Sequence, residues 1–350
     1  MVLLSKLAIL GLATFSAAHP GAHEPSSMTH VQKREFLKGA KRSLDQCAGH
    51  LERRGINTRI EARRAAAYEE YRKQSLQSRD YNPSVNTSHH SSLHVTPGTS
   101  EDELFAKNPV CILSPEGEIG PFWVKGEMLR HDVRDGQPGI PIILDGQFID
   151  IETCEPIQDL YWDVWNCNAT GVYSGVQSDM NGNGEDASNL DKMFLRGIQK
   201  TDADGVAQFK SIFPGHYDGR STHVHVVAHV GAYALPNNTI AGGNVAHIGQ
   251  LFFDQDLISA VEANYPYNTN NVTITKNTAD HVIQDETEDT ASDPFFEYAL
   301  LGDSVQDGIF AWVTMGINVS ASYDASNAAT LTRNGGVMNS NSNSADSVNM

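Results

Sequence analysis

Hydrophobic and polar positions alternate in two different ways along this chain. Between residues 29 and 77, apolar residues recur three or four positions apart among charged residues and alanines, which predicts amphipathic helix. Gly55 lies within this stretch, and we expect it to divide the segment into two helices. From about 111 to 320, short apolar runs alternate with Gly, Asn, Asp and Pro turns, a texture typical of an all-β sandwich.

Five runs give the clearest strand patterns within the β region. They are residues 140–151, 160–165, 206–212, 223–230 and 249–253. Two further runs, 257–263 and 295–301, have apolar spacings that favour helix instead. After about residue 320 the chain consists largely of Ser, Asn, Ala and Gly, which predicts a disordered tail.

The first residues have the composition of an export signal. Lys6 precedes an apolar run, and Ser16, Ala17 and Ala18 supply small residues at a plausible cleavage point. The chain is therefore predicted to consist of a signal peptide (1–18), a helical segment with a linker (19–100), a β-sandwich domain (101–320) and a disordered tail (321–350). Five glycosylation sequons agree with secretion to the extracellular space: Asn86, Asn168, Asn237, Asn271 and Asn318.

The net charge limits the partners that the protein can bind, and the cysteines bear on disulfide formation. The formal net charge of −18 argues against nucleic acid and anionic membrane surfaces as partners. Four cysteines permit three fully paired connectivities, and export makes at least one disulfide expected: Cys47, Cys111, Cys154 and Cys167. The helical segment is basic, which suits packing against the acidic body, a homodimer through these helices, or simply a solvated face.

The stretch 214–226 carries the densest concentration of reactive side chains. Its sequence, Pro-Gly-His-Tyr-Asp-Gly-Arg-Ser-Thr-His-Val-His-Val, places His223 and His225 on the same face of a predicted strand. Two convergent imidazoles are a common way to hold a metal ion. A half-buried strand whose histidines are merely polar is the alternative interpretation.

A tyrosine upstream is a further candidate. Tyr173 follows a predicted strand and a turn, a position at which most tyrosines serve packing. The surrounding motifs change its interpretation. Segments 120–123, 165–173, 194–197, 201–205 and 214–226, taken in order, resemble the intradiol ring-cleavage dioxygenases, in particular their secreted fungal branch.

The resemblance implies a transthyretin-like or immunoglobulin-like β-sandwich and a non-haem Fe(III) ion. It assigns the metal ligands to Tyr173, Tyr217, His223 and His225. It also implies that Tyr217 leaves the metal when substrate binds and accepts a proton, whereas Tyr173 stays bound. By the same resemblance Arg220 faces the substrate, and Gln250 is a less specific match to a glutamine near it.

Donor chemistry agrees with the ligand assignment. Phenolates are hard anionic donors that favour Fe(III), and imidazole suits iron in general. The expected reaction cleaves a catechol-type diol with O₂ between the two hydroxyl-bearing carbons, giving a cis,cis-muconate-type product. Only Asp218 and Gly219 separate Tyr217 from Arg220, so we expect an open site that admits substituted rings.

Two other classes of protein remain open at this level. A non-catalytic extracellular sandwich could bind a metal or an aromatic ligand without turnover, although such a module has little need for two tyrosines, two histidines and an arginine together. A copper site at His19, which cleavage after Ala18 would expose, is disfavoured because the following residues are rich in flexible turn formers. The remaining histidines are expected to be structural or solvated, with His216 beside Tyr217 either orienting that tyrosine or facing outward.

Overall fold

The computed structural model describes residues 28–76, 110–111, 117–287 and 292–339. The predicted signal peptide, the linker after residue 77 and the end of the chain from residue 340 lie outside these ranges. The predicted boundaries at residues 18 and 100 therefore stay predictions.

The described part of the chain is mainly β-structure with a helical N-terminal segment. Its helices are α1 His30–Arg53, α2 Ile56–Leu76, α3 Gln255–Glu262 and α4 His281–Thr287. Its strands are β1 Val110–Cys111, β2 Val124–Lys125, β3 Pro141–Asp150, β4 Tyr161–Trp165, β5 Arg196–Lys200, β6 Val206–Ile212, β7 His223–Val230, β8 Tyr233–Ala234, β9 Ile240–Ala241, β10 Asn244–Phe252, β11 Glu297–Leu300, β12 Ile309–Ile317, β13 Ala329–Thr332 and β14 Gly335–Met338.

Two main sheets enclose the largest core. One has the order β1-β12-β3-β6 with β11 beside β12, and the other has the order β10-β7-β4-β5. Phe148, Trp162 and Phe209 pack edge to face within the core, together with side chains from both sheets. The predicted strands coincide closely with β3, β4, β6 and β7, whereas β10 begins five residues before the predicted 249–253.

Strand β7 places the two candidate histidines opposite the main core. Val224 and Val226 belong to that core, so His223 and His225 lie on the other face of the sheet. A second apolar cluster, which contains Phe122, covers this face. Both faces of β7 are therefore buried, unlike the half-buried strand of the alternative interpretation.

The N-terminal helices pack on the outer face of the sheet that contains β3. Gly55 separates them with a φ of +63°, a left-handed conformation that glycine adopts without steric cost. Leu51 and Ile60 are buried against Ile149 of β3. No helix in the described ranges is both long and apolar enough to cross a membrane. Association of two copies through these helices stays a prediction.

A buried ion pair fixes α2 to β3. The Asp145 carboxylate accepts hydrogen bonds from Arg63 Nη1 at 2.5 Å and from Arg64 Nε at 2.9 Å. Burial alone would raise the pKa of Asp145, but the two guanidinium groups hold it at about 2. The basic helical segment is thus matched to acidic groups of the body.

A disulfide joins the helical segment to the β-sandwich. It links Cys47 of α1 to Cys154, which follows β3, and it closes a loop of 107 residues. A crosslink over a loop of this length stabilises a fold by about 5 kcal/mol through the entropy of the unfolded chain. Cys167 is a buried free thiol whose Sγ donates to Gly215 O at 3.4 Å.

The prediction of a helix at residues 295–301 is wrong. Glu297–Leu300 forms β11, which pairs antiparallel with β12 from Glu297 opposite Trp312 to Leu300 opposite Ile309. A short apolar run fits either a helix or a strand, and here the backbone partners offered by β12 decide the outcome.

The prediction of a disordered tail is wrong over residues 329–338. Strands β13 and β14 form a hairpin, and β13 pairs in parallel with β2. Ala329 is completely buried in the second apolar cluster. A side chain on Gly336 would clash with the backbone of Leu190. The small residues that suggested disorder are thus the ones that allow close packing.

Candidate active site

The two histidines of β7 converge at the centre of their sheet. His225 lies opposite Trp165 of β4 and Gln250 of β10. The imidazole of His225 stacks on the Trp165 ring with centroids 4.7 Å apart and an interplanar angle of 4°. His223 Nε2 and His225 Nε2 are 3.1 Å apart, so both ring nitrogens face one point.

Two tyrosine hydroxyls reach the same point from different loops. Tyr173 Oη lies 3.3 Å and Tyr217 Oη lies 3.2 Å from His223 Nε2. The structure therefore brings together all four side chains predicted as ligands, although 44 residues separate the two tyrosines in the sequence.

The two tyrosines are held to different extents. The Tyr173 backbone N–H donates to Asn181 Oδ1 at 2.8 Å, and its carbonyl accepts from the side chains of Asn181 and Asn189. Its ring is completely buried and packs on Phe122. Tyr217 is only partly buried and precedes an exposed turn at Asp218. Of the two phenols, Tyr217 has more freedom to move.

Ring nitrogens of both histidines are available to a cation. His223 Nδ1 donates to Ser221 O at 2.6 Å, which leaves a lone pair on Nε2. Burial lowers the pKa of His223 to about 3 and that of His225 well below its usual value, so both rings are neutral. His225 Nδ1 has no hydrogen-bond partner among the described residues.

The spacing of these donors fits a shared metal ion. With metal–ligand bonds of about 2 Å, neighbouring ligand atoms lie about 3 Å apart, as the nitrogen and oxygen atoms do here. Burial raises the pKa values of Tyr173 and Tyr217, so a nearby cation is needed to hold them as phenolates. No three His, Cys, Asp or Glu side chains group as a metal site in the described ranges, and a metal here would depend on the tyrosines.

Gly120 closes the side of the site next to His225. Its φ is +74°, and a Cβ at this position would lie 2.8 Å from His225 Cε1. The Gly-Pro-Phe-Trp motif therefore provides a turn against which the imidazole packs, followed by Phe122 over Tyr173.

Arg220 is buried beside the candidate ligands. Its Nε donates to Asp280 Oδ2 at 2.9 Å, and its Nη2 donates to Gln250 Oε1. Gln250 Nε2 in turn donates to Glu118 O at 2.9 Å. Both sequence-predicted residues, Arg220 and Gln250, thus lie in one hydrogen-bonded group next to the ligands.

Asp280 was missed from the sequence. Its Oδ2 also accepts from Ser221 N at 2.7 Å, and its Oδ1 accepts from the N–H groups of Val282 and Ile283 at the start of α4. An aspartate directly before a run with apolar residues is a helix N-cap signal. That signal locates α4, but only the fold shows that the capping carboxylate also holds Arg220.

A second buried hydrogen-bond network, centred on Arg196, holds the loops around Tyr173. Arg196 donates from Nε to Ser174 O at 2.8 Å, from Nη2 to Phe122 O at 2.7 Å and from Nη1 to Glu127 Oε1 at 3.0 Å. Its guanidinium carbon lies 5.9 Å from the centre of the Tyr173 ring. One side chain thus ties together the loops on either side of the phenol.

The remaining histidines are placed outside the ligand group. His216 is buried, with Nδ1 2.6 Å from Glu262 Oε1 and Nε2 2.9 Å from Val272 O. It anchors the chain just before Tyr217 rather than facing outward. His229 contacts Asp163 and His131 contacts the Gln208 carbonyl, as expected of structural residues. His89, His90 and His94, which were also predicted to be structural or solvated, lie outside the described residues.

The part of the chain that forms this site matches a known protein family. The family Dioxygenase_C, described as Dioxygenase, matches residues 120–300, slightly more than half of the 350 residues and a range that includes every candidate ligand. No curated protein matches the chain.

Several solved structures are similar. An intradiol ring-cleavage dioxygenase from Tetranychus urticae is 27% identical, with 61% of this chain and 97% of that chain covered and a TM-score of 0.49. The dioxygenase domain of a dioxygenase carbohydrate-binding protein fusion from Streptomyces sp. SirexAA-E is 20% identical, with 59% and 99% covered and a TM-score of 0.38. Catechol 1,2-dioxygenase from Pseudomonas arvilla C-1 is 18% identical, with 59% and 62% covered and a TM-score of 0.37.

The family match and the side chains at the site agree. The matched range contains both tyrosines, both histidines, Arg220 and Gln250, which a binding module without turnover would not require together. The chain belongs to the intradiol ring-cleavage dioxygenase family and is an enzyme of that class.

Proposed function

We propose that this enzyme is an exported non-haem Fe(III) dioxygenase that acts on catechol-type aromatic diols. It would cleave the ring with O₂ between the two hydroxyl-bearing carbons to give cis,cis-muconate-type products. The observation that carries the proposal is that two tyrosine oxygens and a second imidazole nitrogen all lie within 3.3 Å of His223 Nε2.

Tyr173, Tyr217, His223 and His225 would hold the metal. Ferric iron, when bound, would supply a Lewis acid that activates the diol through its two oxygens. Two phenolates offset two of its three charges, which suits a site that receives an anionic substrate. Trp165 and Gly120 pack against the His225 ring, and Phe122 packs on Tyr173. His223 is held by its hydrogen bond to Ser221 O and by packing on Phe252.

The two tyrosines would have separate roles. Tyr173 is locked by Asn181, Asn189 and ring packing, so it stays in place through the reaction. Tyr217 borders the exposed Asp218 turn and can swing away, and its phenolate oxygen would accept a proton from a substrate hydroxyl. His216, anchored to Glu262 and Val272, sets the position from which this movement starts.

Arg220 would stabilise negative charge that develops on the ring and its oxygens. The guanidinium is a permanent cation, and its contacts with Asp280 and Gln250 fix its orientation before substrate arrives. A buried, preorganised charge of this kind stabilises a developing anion more than a mobile one in water.

Secretion is supported by the disulfide and by the first residues of the chain. The Cys47–Cys154 bond suits an oxidising compartment. Asn237 and Asn271 are exposed, whereas the Asn168 amide donates to Gln137 and orders the turn before Tyr173. We therefore expect glycans at Asn237 and Asn271 but not at Asn168, which mass spectrometry of the exported protein would check.

The metal assignment predicts a coloured protein. The purified enzyme should contain about one iron per chain and show a visible tyrosinate-to-iron charge-transfer band that shifts when catechol is added without oxygen. Tyr217→Phe and Tyr173→Phe should each weaken the band and reduce ring cleavage at least a hundredfold, because each removes an anionic donor.

Tyr233→Phe is the matched control, since Tyr233 is an exposed phenol. It should leave both the colour and the cleavage rate unchanged. A colourless wild-type protein that holds copper or zinc would contradict the iron assignment.

A further inference from the structure

Two buried carboxyl groups lie next to the Arg196 side chain. Glu127 and Asp163 are each 1% exposed, and their side chains are in hydrogen-bonding contact with each other. Glu127 lies two residues after β2, and Asp163 lies in β4, on the same sheet face as Trp165 two positions further along the strand. The reaction proposed above assigns no role to either carboxyl group.

Each carboxyl group has one oxygen with a hydrogen-bond donor and one without. Arg196 Nη1 donates to Glu127 Oε1 at 3.0 Å. Asp163 Oδ2 accepts from Trp123 Nε1 at 3.1 Å, and it lies 3.3 Å from His229 Nε2. The other two oxygens, Glu127 Oε2 and Asp163 Oδ1, are buried and have no donor among the described residues. A buried acceptor without a donor is costly, and one proton held between the two oxygens would satisfy both.

The charges around the pair also require one proton. Burial lowers the pKa of His229 to about 4, so its ring is neutral, and Arg196 contributes one positive charge. Two ionised carboxylates would leave a net negative charge in a buried site, whereas two neutral acids would leave the guanidinium without an anion. Burial and the neighbouring Asp163 raise the pKa of Glu127 well above its usual value, as expected when two carboxyl groups share a site.

Arg196 connects this pair to a candidate metal ligand. Its Nε donates at 2.8 Å to the carbonyl of Ser174, which directly follows Tyr173, and its Nη2 donates to Phe122 O at 2.7 Å. The Phe122 ring packs on Tyr173, and the guanidinium carbon lies 5.9 Å from the centre of the Tyr173 ring. An Arg196 side chain that lost its anion would therefore loosen both segments that hold this phenol.

We propose that Glu127 and Asp163 are positioning residues that share one proton and together carry the single negative charge that holds Arg196 in place. Through Arg196 they fix the Tyr173 phenol, and neither carboxyl group acts on the substrate itself. The inference goes beyond the proposed function, because the shared proton is a property of the protein whether or not a metal ion is bound.

The shared proton has an infrared signature. A protonated carboxyl group has a carbonyl stretch that an ionised carboxylate lacks. At pH 7, subtracting the spectrum of Glu127→Gln from that of the wild type should leave one such acid band, and subtracting that of Asp163→Asn should leave it too. An amide at either position donates the hydrogen bond that the proton supplies, so either variant removes the acid. Acids common to both proteins cancel in the difference.

The same variants test whether the pair carries a single charge. In Glu127→Gln the Asp163 carboxylate still balances Arg196, and in Asp163→Asn the Glu127 side chain can ionise and do so. Each single variant should therefore release iron to a chelator within about twofold of the wild-type rate. The double variant leaves the buried guanidinium without an anion, so it should release iron at least about tenfold faster and show a weaker tyrosinate-to-iron band.

The matched control is Glu152→Gln/Asp303→Asn, which changes the same two residue types at exposed positions and should release iron at the wild-type rate. Single variants that release iron as fast as the Glu127→Gln/Asp163→Asn double variant would show that the two carboxyl groups act separately, and would overturn the inference. A double variant that behaves as wild type would overturn it as well.

The infrared comparison separates this inference from the proposed function. A wild-type protein that binds no iron contradicts the proposed function, while the infrared spectra still decide whether Glu127 and Asp163 share a proton. The absence of an acid band that either single replacement removes would overturn the shared proton. The same spectra decide the question if the double variant does not fold.

Discussion

At the scale of single residues, side chains outside the ligand group set the geometry of the site. Asp280 joins three parts of the chain: it caps α4, accepts from Ser221 N two residues before His223, and pairs with Arg220. Burial by itself would raise the pKa of Asp280, but the charge and hydrogen bond of Arg220, together with the hydrogen bond from Ser221 N, lower it. The orientation of the Arg220 side chain thus depends on a residue 60 positions away in the sequence.

Replacing Asp280 should impair the chemistry more than substrate binding. Asp280→Asn keeps the shape of the side chain but leaves the buried Arg220 guanidinium without a counter-charge. Arg220 can then turn away from the position proposed for the substrate ring. We expect kcat to fall by about ten- to a hundredfold with a smaller change in KM, measured with catechol. Asp285→Asn, an exposed position on the same helix, should behave as wild type. Equal kinetics in the two variants would show that Asp280 does not position Arg220.

At the scale of elements, the site lies between a sheet and the loops that cover it. β7 supplies both histidines, the turn after β4 leads to Tyr173, and the segment before β2 supplies Phe122. The C-terminal hairpin completes this cover. Ala328 N donates to Trp123 O at 2.8 Å, and Ala329 shares an apolar cluster with Tyr173.

Removal of the hairpin should therefore loosen the site. Ending the chain after residue 320 exposes part of the apolar cluster around Phe122 and Tyr173, which should lower Tm by about 5 °C or more and reduce the iron retained after dialysis. Ending it after residue 339 deletes only residues beyond β14 and should change neither value. Thermal melts and metal analysis of both truncations check this. Identical melts of the two shortened proteins would contradict a supporting role.

At the scale of the whole molecule, the apolar faces of the two N-terminal helices pack on one sheet of the sandwich, and the candidate ligands lie on the other sheet. α1 and α2 cover the outer face of the β3 sheet, whereas the four candidate ligands lie on the outer face of the β7 sheet. The Cys47–Cys154 bond and the Asp145 ion pairs secure the helices. Changes in these contacts should act on stability rather than on the chemistry.

The Asp145 ion pairs predict a specific dependence of stability on pH. Its pKa of about 2 lies below the usual aspartate value of about 3.9, so the folded state binds the proton less tightly than the unfolded state. The resulting stability, about 2 kcal/mol, is fully present above about pH 5 and is lost as the pH falls through 4 towards 2. Urea unfolding between pH 6 and 2 measures this loss of stability.

Asp145→Asn should remove this acid dependence and should also destabilise the fold at neutral pH by about 3 kcal/mol, because it leaves two guanidinium groups without their anion. Glu35→Asn, which breaks an exposed pair with Lys38, should have little effect. An acid dependence that persists unchanged in Asp145→Asn would assign it to other groups.

The sequence by itself determined the alternation of β7, the order of the motifs and the identity of the candidate ligands. These depend on neighbouring residues: a strand repeats every two positions, so His223 and His225 must share a face. The sequence-based predictions were wrong where a short segment takes its structure from distant partners, as β11 does beside β12 and the C-terminal hairpin does beside β2.

Only the tertiary structure decided which distant groups meet. It brought Tyr173 and Tyr217 to the same imidazole nitrogen, paired Cys47 with Cys154 and left Cys167 as a buried thiol, and set Asp280 and Gln250 beside Arg220. Contacts between residues far apart in sequence depend on how the sheets and loops pack, and no local pattern encodes that packing. For this enzyme the sequence therefore identified the candidate ligands, and the fold decided which distant side chains surround them.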